Sequence, residues 1–305
     1  MLQVDDLTIK MTNSCNLNCP YCFANANNKE ETSVLPIEEI KEAIEIIKPS
    51  RIAFSGGEPL LRYDDIVSLL PYCAKKVDYL ARGIRIETNG TIPTNFNDFE
   101  INGNRSVVCF NTTLDGFKDL NDSRRGEGTF EKVSKFAMNA VDAGYWTMIK
   151  GVFDDDLLLE DEDYLYEFGK YCYQSLGIRR MRMGHAKSSG RATRKISPTY
   201  KNYILNMNTN VANVSRRIEN EFNYISPDQW NHFIMPEFCL TCVYERNDLY
   251  LDTNGIVSVG CAFVNVPICH YSKYTPELHE KAKFLMKRKG IGAKNGIVKT
   301  TDRLF

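Results

Sequence analysis

The feature that most constrains the fold is a regular alternation of strand-like and helix-like segments over the first two thirds of the chain. Short apolar runs bounded by turn residues alternate with segments whose apolar residues recur at helical spacing. Such alternation is typical of parallel strands joined by right-handed helical crossovers, with functional groups at the C-terminal strand ends. The predicted strands are Leu7–Met11, Arg51–Phe54, Ile84–Thr88, Val107–Leu114, Trp146–Phe153 and Ile178–Met183.

Six strand–helix units are too few to close an eight-fold barrel. The sequence therefore predicts an α/β fold built on a partial (β/α)6 TIM-like barrel. A polar, helical stretch follows the sixth strand, and a second group of cysteines follows that stretch. We expect a barrel over residues 1–195, a helical connector over 196–236, and a small β-hairpin-plus-helix module with a basic tail over 237–305.

Composition and charge exclude several classes of protein. The chain is 43% hydrophobic and 25% charged, which is ordinary for a globular protein. Its 38 basic and 39 acidic residues give a net charge of −1, which favours neither a nucleic-acid nor a membrane partner. The polar start and the lack of a long apolar stretch predict a soluble, cytoplasmic protein, in which the ten cysteines stay reduced.

Three of these cysteines form a compact metal-binding pattern after the first strand. Cys15, Cys19 and Cys22 form a C-x3-C-x2-C run. A structural zinc needs four ligands, and no fourth cysteine or histidine lies nearby. An iron–sulfur cube held by three thiolates instead keeps one iron open for an external ligand. Two alternatives are a zinc ion completed by a remote ligand and three incidental loop cysteines.

At this loop the sequence resembles the radical S-adenosylmethionine (SAM) superfamily. The likeness is carried by the three-cysteine run with Tyr21 before its last cysteine, and by Gly56-Gly57-Glu58-Pro59 at the end of the second strand. It covers roughly residues 5 to 190. The resemblance implies a 4Fe-4S cluster on the three cysteines, with SAM bound at its open iron and its amino group meeting the Gly-Gly-Glu-Pro run. One electron then cleaves SAM to a 5′-deoxyadenosyl radical, which abstracts a substrate hydrogen.

Further positions match this family more loosely. Thr88 and Asn89 lie where the family has a strand-end loop facing the cofactor. Asn111, Thr113 and Asp115 share one parity of their strand, which predicts side chains directed into the barrel. Thr113-Leu114-Asp115-Gly116 and the later Ser123-Arg124-Arg125-Gly126 resemble elements of peptide-modifying members. There the hydroxyl meets ribose and an arginine meets the methionine carboxylate; the alternative for Arg124 and Arg125 is a solvated loop.

The second cysteine group surrounds a predicted hairpin. Asn254-Gly255 between two alternating runs indicates the turn. Zinc would suit the four cysteines of this group, because four thiolates form a closed structural zinc site. The stretch also resembles SPASM/twitch extensions, which implies an auxiliary 4Fe-4S cluster. Five residues separate Gly255 from the next cysteine where four are usual, and the later cysteine block of a full SPASM domain is absent. We therefore expect a single-cluster twitch-like module, with zinc and a partial or empty site as alternatives. The predicted ligands are Cys239, Cys242, Cys261 and Cys269.

The remaining candidates are solitary. Cys73 and Cys172 fall on apolar helix faces, which predicts core positions. Cys109 shares the inward parity of Asn111, so it is a candidate hydrogen donor or substrate contact, with core packing as its alternative. His185 follows the sixth predicted strand and is a candidate cofactor or substrate contact, with a solvated loop as its alternative.

Two enzyme classes and one binding class follow. The leading hypothesis is a radical SAM maturase that crosslinks, epimerises or otherwise modifies a ribosomally synthesised peptide. The rival enzyme is a dehydrogenase or epimerase of a small molecule such as a sugar or aminocyclitol, and the third possibility is a non-catalytic zinc-binding protein. Either enzyme needs an external electron donor of the flavodoxin or ferredoxin type. No leader-recognition domain precedes Leu7, so a peptide enzyme is expected to use a separate recognition protein or its basic tail.

Overall fold

Parallel strands laid side by side in chain order form the body of the molecule. The computed structural model describes residues 3–26, 34–79, 81–153, 161–185, 191, 200–224, 233–236, 247–261, 264–289, 292–294 and 297–299. In this part of the chain, each of the first six strands pairs in parallel with the strand that follows it, which gives a run of seven strands in chain order. They are β1 (Val4–Thr12), β2 (Pro49–Gly56), β3 (Ile84–Glu87), β4 (Val108–Thr113), β5 (Trp146–Phe153), β6 (Met181–His185) and β7 (Ile234–Pro236).

Helices connect most of these strands, as the alternation predicts. The first shows why they form where they do: its buried residues Ile40, Ile44 and Ile47 recur every three or four positions, and the chain leaves the helix at Lys48 with φ 54°. The helices are α1 (Ile37–Ile47), α2 (Tyr63–Ala74), α3 (Lys118–Arg125), α4 (Thr129–Asp142), α5 (Glu162–Gln174), α6 (Tyr200–Glu221) and α7 (Pro276–Lys289).

The C-terminal strands extend the same sheet from its other edge. Strand β8 (Leu249–Leu251) pairs in parallel with β1, so that Leu7 lies opposite Leu249. Strands β9 (Ile256–Cys261) and β10 (Val264–His270) continue as an antiparallel meander. The predicted hairpin is confirmed, and Gly255 supplies the positive φ of 77° that its turn requires. A short hairpin, β11 (Gly292–Lys294) with β12 (Ile297–Lys299), forms a second sheet.

One apolar cluster joins the first strands to the C-terminal ones. Leu7 and Ile9 of β1 pack in the same cluster as Leu249 of β8 and Val257 of β9. Cys73 lies in this cluster, and Cys172 lies in a second cluster around α5 and α6, so their predicted core positions are confirmed. The burial of β1 and β8 against one core makes the C-terminal strands part of the barrel wall.

The α/β partial barrel is confirmed, and its sheet is not closed: β10 and β7 are its two edges. Two details differ from the prediction. Strand β6 begins at Met181 rather than Ile178, because Gly177 turns the chain with φ 69° and the Ile178 amide bonds back to the Cys172 carbonyl. The stretch predicted as a connector supplies α6 and a short seventh strand. The division at 195/196 and 236/237 stays a prediction. No described helix is long and apolar enough to span a bilayer.

Candidate active site

The three-cysteine loop leaves the C-terminal end of β1 and is held by local hydrogen bonds. The Cys22 amide donates to the Cys19 carbonyl at 3.2 Å. The sulfur of Cys15 accepts from the Leu17 amide at 3.4 Å and from Asn89 Nδ2 at 3.7 Å. All three cysteines are half-buried. The loop therefore presents its thiols from a braced backbone beside the end of β3.

The chemistry of these thiols suits an iron–sulfur cluster. Burial raises the pKa of Cys15 against the opposing hydrogen bonds from Leu17 and Asn89, and burial raises the pKa of Cys19 although Arg125 lowers it. A metal must displace these protons, because the thiolate is the ligand. Within the described residues no three Cys, His, Asp or Glu side chains converge closely enough to hold a metal ion. The donor set fits a three-thiolate cluster, in which each sulfur binds a different iron and the three need not meet at one ion.

Gly56 and Gly57 let the cysteine loop lie directly on the end of β2. Two backbone hydrogen bonds join the end of β2 to the start of the loop: the Gly57 amide donates to the Thr12 carbonyl and the Glu58 amide donates to the Ser14 carbonyl, both at 2.9 Å. A Cβ on Gly57 would come within 2.0 Å of the Ser14 oxygen, and one on Gly56 within 2.4 Å of the Thr12 oxygen. Only glycine permits this approach, which fixes Cys15 next to the Gly-Gly-Glu-Pro run.

Glu58 is fully buried among hydrogen-bond donors. One carboxylate oxygen accepts from Thr88 Oγ1 at 2.6 Å and from the Leu60 amide at 3.0 Å, and the other accepts from the Asn89 amide at 2.6 Å. Burial raises the pKa of Glu58 to about 7 despite these bonds. Pro59 then starts a single turn of 3₁₀ helix that the same carboxylate caps. The structure thus brings the predicted residues Glu58, Thr88 and Asn89 together at adjacent strand ends.

A second predicted group forms around Asp115, which is completely buried. Tyr21 donates its hydroxyl hydrogen to Asp115 and accepts a bond from Arg125 Nη1 at 2.8 Å. Arg124 lies over the Tyr21 ring at 4.5 Å and 3.6 Å from the Asp115 carboxylate. Both arginines end α3 and are largely buried, so the solvated-loop alternative is wrong.

This group has capacity left for an anion. Burial opposes the charge on Arg125, but Tyr21 and Asp115 outweigh burial and raise its pKa. Its Nε atom is buried and has no hydrogen-bond partner among the described residues. A permanently charged guanidinium whose Nε–H still has no acceptor suits a carboxylate ligand. Burial, followed by the charge of Asp115, raises the pKa of Tyr21 well above its usual range, so this phenol stays neutral.

A charged network on the inner face of the barrel was not predicted. Glu87 of β3 is paired with Lys150 of β5 at 2.5 Å and with Arg85 at 2.9 Å, and it accepts from Asn111 at 2.7 Å. Burial would raise the pKa of Glu87, but Lys150 and Arg85 lower it to about 2. The sequence does carry a signal for this network. Apolar and polar residues alternate along these strands, and the network is formed by the polar ones, whose side chains lie on the opposite face of the sheet from the apolar core.

The inward parity predicted for β4 is confirmed by this network. Asn111 bonds to Glu87, whereas Val108 and Phe110 join the apolar core. Cys109 is buried on the Asn111 side, where burial raises the pKa of its thiol to about 12 although Arg85 lowers it. Cys109 therefore remains a thiol. Thr113 is half-buried at the strand end and lies in register with Lys150.

The second cysteine group is only partly described. Cys239 and Cys242 lie outside the described residues. Cys261 ends β9 opposite Val264, whereas Cys269 lies opposite Val257 near the start of β9. Four residues of strand at roughly 3.3 Å each separate these positions by about 13 Å along the ladder. The register thus sets Cys261 and Cys269 at opposite ends of the β9–β10 pair.

His185 is the last residue of β6, opposite Phe153, rather than following the strand; its side chain lies outside the described part.

A cleft of about 490 Å³ opens beside the cysteine loop. One wall is the loop itself, from Asn16 to Asn18 with Pro20, and the other is the junction of α3 and α4 with Arg124, Arg125 and Lys132. The candidate site therefore communicates with solvent along the outer side of the cysteine loop.

Residues 9–162, just over half of the chain, match the family model described as the Radical SAM superfamily. The chain belongs to the radical SAM superfamily. Membership implies a 4Fe-4S cluster and SAM, and the cysteine loop on β1 and the Gly-Gly-Glu-Pro run on β2 both fall within the matched segment.

Curated relatives match over shorter segments. The chain is 34% identical over 143 residues to the Fe-coproporphyrin III synthase of Methanosarcina barkeri, covering 44% of this chain and 33% of the relative. It is 36% identical over 95 residues to a probable GTP 3′,8-cyclase of Methanocella arvoryzae, covering 30% of this chain and 28% of the relative. The matches thus span about a third of these relatives' lengths.

Solved structures resemble nearly the whole fold. SuiB of Streptococcus suis bound to S-adenosylmethionine has a TM-score of 0.68 at 16% identity, covering 93% of this chain and 68% of that one. The enzyme anSMEcpe, solved with AdoMet and a peptide, has a TM-score of 0.67 at 17% identity, covering 91% of this chain and 80% of that one. At such identities the likeness establishes the fold alone.

Proposed function

We propose that this protein is a radical SAM enzyme that abstracts a hydrogen atom from a ribosomally synthesised peptide. The assignment as a radical SAM enzyme rests on one observation, the meeting of the ends of β1, β2 and β3. The side-chain amide of Asn89 donates a hydrogen bond to the Cys15 sulfur, and the backbone amide of Asn89 donates one to the Glu58 carboxylate. A thiol for the cluster and a buried carboxylate for a cation thus share one hydrogen-bond system.

The chain's residues have separable roles in this proposal. Cys15, Cys19 and Cys22 hold the cluster, whose chemistry when bound with SAM is one-electron cleavage and hydrogen abstraction. Glu58 accepts the amino group of the methionine moiety, and the buried carboxylate gains a cationic partner there. Arg125 with Arg124 receives its carboxylate, and Thr113 at the end of β4 meets the ribose.

The peptide substrate is supported by the fold. The two structural neighbours whose folds agree over nine tenths of this chain include forms solved with a precursor peptide or a peptide. A specific observation favours the rival class as well: the curated relatives named above bear the names of small-molecule enzymes. A small-molecule dehydrogenase or epimerase is therefore the second candidate.

We also propose an auxiliary 4Fe-4S cluster in the C-terminal module and an external electron donor of the flavodoxin or ferredoxin type. The confirmed hairpin supports the module. Cys239, Cys242 and Cys261 are its proposed ligands, and Cys269 is the member that the register of β9 and β10 separates from Cys261.

The test is anaerobic reconstitution of the protein with iron and sulfide, followed by SAM and dithionite. We expect absorption near 400 nm and formation of 5′-deoxyadenosine, both dependent on Cys15, Cys19 and Cys22. A colourless protein that binds zinc would exclude the proposal. The two substrate classes are separated by mass spectrometry with a short peptide encoded beside the gene: a mass change in the peptide supports the maturase, and an unchanged peptide favours the small-molecule enzyme.

A further inference from the structure

Arg191 lies on the backbone of the cysteine loop although 169 positions separate it from Cys22 in the sequence numbering. Its amide donates to the Cys22 carbonyl at 3.0 Å, and its Nε donates to the Cys19 carbonyl at 2.9 Å. Its Nη1 donates to the Ala26 carbonyl. One residue therefore bonds three carbonyls that follow one another along the loop.

The geometry suits arginine alone. A guanidinium presents several N–H donors in a rigid plane, so two of them can bond different carbonyls while the residue's own amide bonds a third. A lysine in this place would keep the charge but bring a single flexible ammonium. It cannot reproduce the fork, which is the pair of bonds from Nε to Cys19 and from Nη1 to Ala26. The loop's own turns are weaker: the Cys22 and Asn25 amides bond within it at 3.2 Å each.

We infer that Arg191 is a positioning residue that holds the cysteine loop in its ligating shape and tunes the reduction potential of the cluster bound there. The inference rests on the proposed function, because it requires a cluster on Cys15, Cys19 and Cys22. Its physical basis is twofold. The three bonds fix the backbone on either side of Cys22, and the half-buried cation beside Cys19 stabilises the more negative, reduced cluster.

The two parts are separated by two substitutions. Arg191→Gln removes both the fork and the charge, and Arg191→Lys removes the fork only. A matched control is Arg105→Gln, since Arg105 also joins loop groups, with Nη1 on the Ala143 carbonyl at 2.6 Å and Nε on Glu100 at 2.7 Å, away from the cysteine loop.

Loop order is measured on the protein before reconstitution, by hydrogen exchange of the peptide covering residues 19–26. Both Arg191 variants keep the backbone bond to Cys22 but lose the two side-chain bonds, to Cys19 and Ala26, which should accelerate this exchange by about tenfold or more. The Arg105→Gln variant should exchange in this peptide as the wild type does.

The potential is measured on reconstituted protein, through the EPR signal that responds to added SAM. We expect Arg191→Gln to lower the reduced-to-oxidised ratio at fixed potential by about tenfold, which is about 59 mV for a one-electron couple. Arg191→Lys should keep the wild-type ratio. If both readouts of Arg191→Gln equal those of Arg105→Gln, the inference is wrong although the cluster is present. A wild type without any cluster would instead refute the proposed function itself.

Discussion

At the scale of single residues, two glutamates in this barrel have opposite electrostatic surroundings. The hydrogen bonds to Glu58 come from neutral donors, and burial raises its pKa to about 7 although these bonds and the charge of Arg125 lower it. Glu87 is half-buried, and there the cations Lys150 and Arg85 overcome the effect of burial and lower its pKa to about 2. Among the described residues Glu58 has no ion pair, whereas Glu87 has two, which is the condition expected of a site awaiting a positively charged ligand.

The two glutamates should give the unfolding free energy different pH dependences. Glu58 binds a proton more tightly in the folded state, so its contribution is complete below about pH 4.5 and is lost as the pH rises through about 7. That loss amounts to about 3 kcal/mol. Urea unfolding of the apoprotein from pH 5 to 8 should therefore show wild type losing stability relative to Glu58→Gln.

The control is Glu87→Gln. The stabilisation by ionised Glu87 is present above about pH 4.5 and disappears only as the pH falls through about 2, so the difference between wild type and this variant should stay constant from pH 5 to 8. Parallel curves for wild type and Glu58→Gln would contradict the assigned environment of Glu58.

At the scale of elements, the end of β2 is shaped by its contact with the loop after β1. In Gly57→Ala the new methyl group would meet the Ser14 carbonyl, which is backbone and cannot move without displacing Cys15. We expect a loss of about 2 kcal/mol or more in unfolding free energy and reduced iron incorporation. Both are measured after expression of the variant and anaerobic reconstitution.

Gly169→Ala is the matched control for this substitution. A Cβ at this helical position would also make a close contact, but with the Ile218 Cδ1 atom at the end of a flexible side chain. Since alanine also favours a helix, the change should stay within about 1 kcal/mol and leave iron content unaltered. Equal effects of the two substitutions would mean that the loop yields as easily as a side chain does.

Sequence reasoning recovered the elements whose signals are local. The apolar runs of β1 to β6 and the stripe of Ile40, Ile44 and Ile47 on α1 follow from periodicity alone. The pairing of β8 with β1 does not, because it joins Leu7 to Leu249 across most of the chain, and nothing near either residue encodes the partner. Strand β7 is only three residues long and ends in proline, so no alternating pattern marks it.

The candidate site divides in the same way. Glu58 was found because it lies in a short motif, and Arg125 because it follows another. Arg191 and Glu87 were missed, because a guanidinium on distant carbonyls and a charge pair across strands leave no spacing in the sequence. The sequence therefore predicts well the groups that we propose to contact the cofactor, and it omits the residues that support them.

At the scale of the whole molecule, the C-terminal strands share their core with the barrel. Removing residues 247–305 would uncover β1 and take Leu249, Leu251, Val257 and Val259 out of the cluster that contains Leu7. At about 2 kcal/mol each, these four side chains are comparable with the about 5–15 kcal/mol that stabilises a domain. We expect this truncation to abolish cooperative unfolding by urea, whereas removing residues 292–305, whose described part forms the separate β11–β12 hairpin, should preserve it. A cooperative 1–246 fragment would show instead that the barrel folds without these strands.

The metal content of the whole chain tests the auxiliary site. Two 4Fe-4S clusters require about eight irons per chain, and the triple change of Cys15, Cys19 and Cys22 to alanine should leave about four. Cys261 and Cys269 lie about 13 Å apart along the β9–β10 ladder, too far to bind neighbouring irons of one cube. In the triple-alanine background, Cys261→Ala should therefore remove the remaining iron, whereas Cys269→Ala should keep it, as should Cys172→Ala in the apolar core. Iron and zinc are counted together by mass spectrometry. Zinc in place of iron would refute the auxiliary cluster, and iron lost from the Cys269 variant would mean that the hairpin's register changes when the cluster binds.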